Sequence, residues 1–316
     1  MDHPGSNPGP GVLSKNVIIM KLQTIEGKLY PKDPFDFSKS LNFIDMFPPS
    51  RNEYIIEDLS FTKAIHLDGQ TVAFKLESVG TIEKPVLNYR FFGSKLNNNL
   101  KTALVDRINF FLSLDDDLKP FYQYAAGDES FKHLVDEFYG LHQVKFLTPF
   151  EAAGWAVLSQ RISMNVANKM KENLTHSIGN SIIIDGIEYW AFPSPDQIQD
   201  LDIDHIISIV KNKRKSSYLI NIAEAFGSVD ENFLRTGPIE EVKEWLLEIN
   251  GIGEWSAHLE LIRGLGRMED SLNDKMMGKC FQKIYGSESS PEDIRNKSSG
   301  YEEFVGYWEY YIRTGC

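Results

Sequence analysis

Asp274 stands directly before Lys275-Met276-Met277-Gly278-Lys279, a segment that reads as the opening of a helix, and so falls at its N-cap. There the unpaired backbone N–H groups and the helix dipole keep a carboxylate ionised and point it outward. Such a carboxylate can stabilise a cation developing in front of it or orient a water. Upstream, Leu246-Leu247-Glu248-Ile249-Asn250-Gly251-Ile252-Gly253-Glu254-Trp255-Ser256-Ala257 ends one helical run and begins another almost at once. Gly251 and Gly253 offer the φ freedom of a very tight turn, and without side chains they leave the next helix's N–H groups open to close approach. Ile252 sits between them. That geometry suits a phosphate oxygen. A G-x-G between helices is weak alone, and Asp at an N-cap is most often only a cap. The hydrophobic frame of Leu246, Leu247, Ile249, Ala257, Leu261 and Ile262 strengthens the first signal, and the hairpin upstream strengthens the second.

Length and composition bound what these residues can serve. A chain of 316 residues with 42% hydrophobic and 25% charged residues suits two domains or one large one with an ordinary globular core. No apolar run is long enough to cross a membrane and no signal peptide is visible, so an intracellular protein is expected. Cys280 and Cys316, the only cysteines, cannot build a disulfide framework, a four-thiolate zinc site or an iron–sulfur cluster. The histidines show no metal or triad spacing, so no metal is expected. A net charge of -12 excludes a polycation that coats nucleic acid, though not a local basic patch with strong salt dependence. The densest basic cluster is Lys211, Lys213, Arg214 and Lys215, suited to phosphates or to a solvated helix end.

The elements that must position these residues fall in two parts, an α+β arrangement. Residues 1–15, rich in Pro and Gly, read as disordered, and Val17 to Leu22 as a first strand or lead-in. Residues 16–96 read as a small antiparallel β-sheet domain with one helix. Phe37, Leu41, Ile44 and Phe47 recur at helical spacing, followed by short β-like runs from Tyr54 to Phe92 with a hairpin turn at Asp68-Gly69. Residues 97–316 read as a helical body, with the hairpin at about 243–262 and a small β excursion around Asp185-Gly186. The segment near Asn97 to Lys145 is expected beside the C-terminal helices. Thr148-Pro149 opens a helix running to Gln160, and Ser163 reads as the N-cap of the next.

The form L-x-x-I-x-G-I-G-x-W, then Arg263-Gly264, then Asp274 before a helix, resembles the helix–hairpin–helix (HhH-GPD) DNA glycosylase superfamily, and within it the AlkA-type 3-methyladenine DNA glycosylases. The likeness is collinear from about Tyr30 to the end. Tyr30-Pro31-Lys32-Asp33-Pro34-Phe35-Asp36-Phe37 resembles the family's opening to its first helix. Phe150-Glu151 through Gln160-Arg161-Ile162-Ser163, Phe192-Pro193-Ser194-Pro195, Lys213 to Leu219 and Tyr307 to Gly315 resemble later stretches.

The resemblance implies that Asp274 is the catalytic carboxylate of a monofunctional glycosylase. Its substrates would be alkylated purines of the 3-methyladenine and 7-methylguanine type, flipped from duplex DNA for base excision repair. Trp255 stands where strand-cutting relatives carry a Schiff-base lysine, so no lyase step is expected. Its indole could stack on a flipped base or simply fill the core. Gln160-Arg161-Ile162 falls where the family places its wedge, with Arg161 in place of an apolar residue, and Gln160, Arg161 and Ser163 are expected to contact DNA. Gly251, Ile252, Gly253, Lys213, Arg214 and Lys215 are the expected DNA contacts. Leu259 and Arg313 stand where a pocket Tyr and Trp are expected; Trp308, Tyr310, Tyr311, Phe35 and Phe37 are the candidates to replace them. No cofactor is expected beyond a monovalent cation at the hairpin backbone, and the partner is double-stranded DNA with a damaged base, met by a monomer. A glycosylase for oxidised or deaminated bases and a catalytically silent hairpin protein binding DNA or abasic sites are the alternatives; an intact Asp274 speaks against the second.

Overall fold

The computed structural model describes residues 22–50, 53–269, 274–286 and 290–316. The expected disordered stretch 1–15 and nearly all of the Val17 to Leu22 lead-in lie outside these. Strand β1 (Gln23–Leu29) comes first, and the Pro-rich break then hands over to helix α1 (Phe37–Met46). Asp36 caps α1 by accepting from the backbone N–H of Ser38 and Lys39. Strands β2 (Tyr54–Glu57), β3 (Ser60–Leu67), β4 (Gln70–Ser78) and β5 (Leu87–Gly93) complete a five-stranded antiparallel sheet ordered β1-β5-β4-β3-β2. The β3–β4 turn closes at Asp68 and Gly69, both at positive φ, the conformation that a tight two-residue hairpin demands.

Helices α2 (Asn98–Leu112), α3 (Lys119–Ala125) and α4 (Lys132–Glu137) follow. Here the structure departs from the expected grouping. Leu100, Leu104, Ile108 and Phe111 of α2 pack beneath the sheet with Phe61, Phe74 and Phe91, while α3 and α4 join the C-terminal helices through Phe121, Phe131 and Leu134. The reason is the face that α2 presents, an apolar stripe that completes the core of a sheet otherwise covered by α1 alone.

Helices α5 (Pro149–Ser159) and α6 (Met164–Ile178) lead into a hairpin of β6 (Asn180–Ile184) and β7 (Ile187–Ala191), which lies on the sheet's other face over Ala64 and Ala73. A buried ionic cluster ties sheet to body. Lys63 donates to Glu53 at 2.7 Å, and Lys171 of α6 bonds both Glu53 and, at 2.8 Å, Glu151 of α5. Burial alone would push the Glu53 carboxyl up, but Lys171 and Lys63 prevail and bring it down to about 2. Two ammonium groups and two carboxylates thus neutralise one another where a single unpaired charge would be costly.

The remaining helices are α7 (Pro195–Gln199), α8 (Ile203–Val210), α9 (Lys213–Ser228), α10 (Glu231–Thr236), α11 (Ile239–Glu248) and α12 (Glu254–Leu259). The last continues through a π-helical turn, Glu260–Gly264. Then come α13 (Lys275–Tyr285), α14 (Pro291–Ser298) and α15 (Val305–Thr314). Cys280 of α13 and Cys316 are bonded to each other, a single cross-link that the cysteine count alone gave no reason to expect. Among the described residues no helix is long and apolar enough to cross a membrane.

The π turn buries Glu260 completely, and neither carboxyl oxygen has a hydrogen-bond partner among the described residues. Burial, with Glu231 adding to it, pushes its pKa well above the ordinary carboxylate value. The folded state therefore holds this proton more tightly than the unfolded chain, so stability is full below pH 4.5 and falls as pH rises above it. Glu260→Met should raise stability by about 1–3 kcal/mol at neutral pH and by less near pH 4, where the carboxyl is protonated but still lacks a partner. Urea unfolding at the two pH values is the check.

Candidate active site and nucleic-acid face

The hairpin is built from α11, α12 and the turn between them. Gly251 has φ +116, and a Cβ there would stand 2.5 Å from Cγ of Tyr218 on α9. Gly253 is different: its φ is -110 and a Cβ would meet nothing within 4 Å. Gly251 is thus required by the fold, whereas Gly253 keeps open the exposed space before the first N–H groups of α12. Ile252 is buried in the helical core and anchors the turn.

Two polar side chains fix this turn against the end of α5. Lys215, in the first turn of α9, is buried and donates from Nζ to the carbonyls of Val157, Leu158 and Gln160, each at 2.9 Å. It satisfies the orphan carbonyls at a helix C-terminus; burial, with Arg214 adding to it, lowers its pKa to about 8. Gln160 in turn donates from Nε2 to the carbonyl of Gly251 at 2.8 Å and to Oγ of Ser256 at 3.1 Å. Arg161 follows at φ +55, exposed, in the left-handed region that a non-glycine residue seldom adopts. Trp255, 36% exposed, shares with Arg161, Gln160 and Tyr218 a cleft of about 580 Å³ over the hairpin. Lys213 and Arg214 are exposed on the first turn of α9, beside the same loop, and Ser163 occupies the N-cap of α6 with an exposed side chain that makes no capping bond.

Asp274 is the N-cap of α13. Its Oδ1 accepts from the backbone N–H of Met276 at 3.0 Å and Met277 at 2.8 Å, and from Nη2 of Arg313 at 3.2 Å. Oδ2 makes no hydrogen bond among the described residues, and the side chain is 27% exposed. A carboxylate with one oxygen pinned by a helix terminus and the other open is preorganised to face a developing cation. Arg313 of α15 also donates from Nε to the buried Glu309, one turn back, at 2.5 Å. On the same helix Tyr310 stacks obliquely on Phe43 of α1 at 5.0 Å, and Phe43 on Phe47 at 5.6 Å. The guanidinium of Arg263 lies 4.8, 4.5 and 5.5 Å from the three ring centroids; burial brings its pKa down to about 10.

With this geometry established, comparison with known proteins is decisive. The family model for HhH-GPD superfamily base excision DNA repair proteins matches residues 155–302. The DNA-3-methyladenine glycosylase of Bacillus subtilis is 30% identical over 235 residues, covering 73% of this chain and 76% of that protein. The chain belongs to the HhH-GPD superfamily. DNA-3-methyladenine glycosylase 2 of Escherichia coli is similar at 24% identity over 53% of this chain and 58% of its own length. A solved 3-methyladenine DNA glycosylase from Archaeoglobus fulgidus shares the fold with a TM-score of 0.77 at 22% identity, covering 91% of this chain and 97% of that one.

Several residues expected to act in this HhH-GPD site are placed elsewhere. Lys215 faces the protein interior instead of a phosphate, because the α5 carbonyls claim all three of its donors. Gln160 uses its amide to brace the hairpin. Trp308 is fully buried and donates its indole N–H to the hydroxyl of Tyr285 at 2.9 Å. It lies on the face of α15 turned toward α13 and α14, while Glu309, Tyr310 and Arg313 share the other. Phe35 is 2% exposed and packs edge-on against His142, and Phe37 is equally buried in the sheet core. Tyr311 is buried too, its hydroxyl donating toward the carbonyls of Phe138 and Leu141. Leu259, the last residue of α12, is half-buried against Trp155 and Phe146. Phe43 of α1 and Phe47, its C-cap, which meet the Arg263 guanidinium, were not among the expected residues; their i, i+4 spacing was the available signal.

The two hairpin glycines should respond differently to alanine. Gly251→Ala, wrong in φ and in clash with Tyr218, should cost more than about 2 kcal/mol of stability. Gly253→Ala should cost less than about 1 kcal/mol. DNA affinity measured by fluorescence anisotropy on the folded Gly253 variant should still fall about tenfold or more, because the added methyl stands where a phosphate would approach.

Proposed function

We propose that this chain is a monofunctional DNA glycosylase that hydrolyses the N-glycosidic bond of alkylated purines in duplex DNA, acting as a monomer. The observation that carries the proposal is Asp274, pinned by the N-terminus of α13 with its second oxygen open. As the base departs, C1′ of the sugar becomes an oxocarbenium-like cation. Oδ2 of Asp274 stabilises that charge and orients the water that adds to C1′. A purine alkylated at N3 or N7 is already cationic and leaves without a general acid. The names of the Bacillus subtilis and Escherichia coli relatives support that substrate class.

Reaching C1′ requires the nucleotide to leave the helix. The hairpin holds one backbone phosphate through the N–H groups after Gly251 and Gly253, and Lys213 and Arg214 hold others. Arg161 is the wedge that enters the vacated space, carried on a loop whose backbone Lys215 has already fixed. The carbonyls of Asn250 and Gly251 each accept one side-chain amide proton and keep a second lone pair, so they would be the residues to hold a monovalent cation, which would supply positive charge beside the hairpin. Trp255 in place of a lysine supports hydrolysis without strand cleavage.

Free 3-methyladenine and 7-methylguanine should be released from dimethyl sulfate-treated DNA, with the strand intact until alkali is added. Asp274→Asn should lower the single-turnover rate by about 10²–10³-fold. Chromatography of the released bases is the readout. Unimpaired release by the variant would remove Asp274 from the chemistry.

A further inference from the structure

The bond between Cys280 and Cys316 lies on the seam where α13 meets the end of α15. Cys280 stands in the second turn of α13, the helix that Asp274 caps, and is fully buried in the apolar cluster of Met277, Phe281 and Trp308. Cys316 is exposed. From Arg313 onward the chain meets α13 at three places. Arg313 bonds Asp274 at 3.2 Å, and Lys283 donates to the carbonyls of Gly315 at 3.3 Å and Cys316 at 2.5 Å. The disulfide is the third. Water competes for the two polar contacts, which solvent reaches, but not for the covalent one.

The fold does not need this bond. Structural disulfides belong chiefly to small domains that cannot bury a sufficient core. Here the sheet, the helical body and the C-terminal helices each bury a core of their own. A bond with an exposed partner is instead open to thiol exchange, as labile and regulatory disulfides are. Attack begins at Sγ of Cys316, because Cys280 is out of reach. An external thiolate forms a mixed disulfide there and expels the Cys280 thiolate, which takes up a proton. A second thiolate then attacks the external sulfur and releases the Cys316 thiolate, so the reductant leaves as its own disulfide. Oxidised glutathione reverses both steps, capping Cys316 before the Cys280 thiolate closes the bond.

Resting on the glycosylase reading above, we propose that the Cys280–Cys316 bond is a thiol-responsive clamp that regulates base release. Closed, it seats α13 against the end of α15 and fixes Asp274 for the reaction. Opened, it frees the chain beyond Arg313 and leaves α13 to noncovalent contacts, and release slows. The effector is a low-molecular-weight thiol–disulfide pair of the glutathione type.

The test equilibrates the full chain in glutathione buffers from reduced to oxidised, titrates free thiols, and measures single-turnover release of 7-methylguanine in each. Free thiols should fall from two per chain to none as the buffer is oxidised. The rate should rise about tenfold in step, since sub-ångström displacement of a catalytic group has effects of that order. Cys316→Ser, which alters only the exposed partner, should release base at the reduced rate in every buffer. A rate that is equal or higher in the reduced state would overturn the proposal and leave the glycosylase reading standing. So would two free thiols in every buffer, or a Cys316→Ser variant that is as fast as the oxidised chain or still responds to the buffer. Release in neither state would overturn the glycosylase reading, and this proposal with it.

Discussion

A buried ammonium holds the working face of this protein together. Lys215 satisfies three carbonyls at the end of α5, and through them it sets the path of the loop that presents Arg161. Gln160, on that same loop, reaches across to Gly251 and Ser256 and ties the loop to the hairpin. The cost of burying the charge appears in the depressed pKa of about 8. Leaving three buried carbonyls without donors would cost more. Because Lys215 lies in the first turn of α9, its anchoring also brings Lys213 and Arg214 beside the hairpin. Three features suited to gripping a DNA backbone are thereby placed by one interaction.

Asp274 is organised by a different device. Its Oδ1 is held by the first N–H groups of α13 and by Arg313, so the proposed chemistry and the proposed DNA grip belong to separate helices brought together by packing. Arg313 comes from a third, α15, whose other face is locked into the core by Trp308 and Tyr311. The bond between Cys280 and Cys316 joins the Asp274 helix to the residues just beyond Arg313.

What could be read from the sequence was whatever is local. The strands of the sheet, the Asp68-Gly69 turn, the tight hairpin and the N-cap of α13 each follow from neighbouring residues. What could not be read depended on partners remote in the chain. Lys213, Arg214 and Lys215 look alike in sequence, yet the helical turn sends only the third inward to α5. Gly251 and Gly253 look alike as well, but only the first meets Tyr218, more than thirty residues away. Trp308 and Arg313 were both placed near the base by the likeness to the family, and the α-helical period assigns them to opposite faces. The packing of α2 under the sheet depended on which apolar stripe was still uncovered, a property of the assembled fold.

The measurement that tests the account most directly is a crystal structure of the complex with duplex DNA carrying a cationic pyrrolidine abasic analogue, which places a charge where the transition state develops it. The account predicts Oδ2 of Asp274 within about 3.5 Å of the pyrrolidine nitrogen, with a backbone phosphate on the N–H groups after Gly253. A pyrrolidine ring held elsewhere, with Asp274 engaged only by α13 and Arg313, would contradict it and leave Asp274 a helix cap.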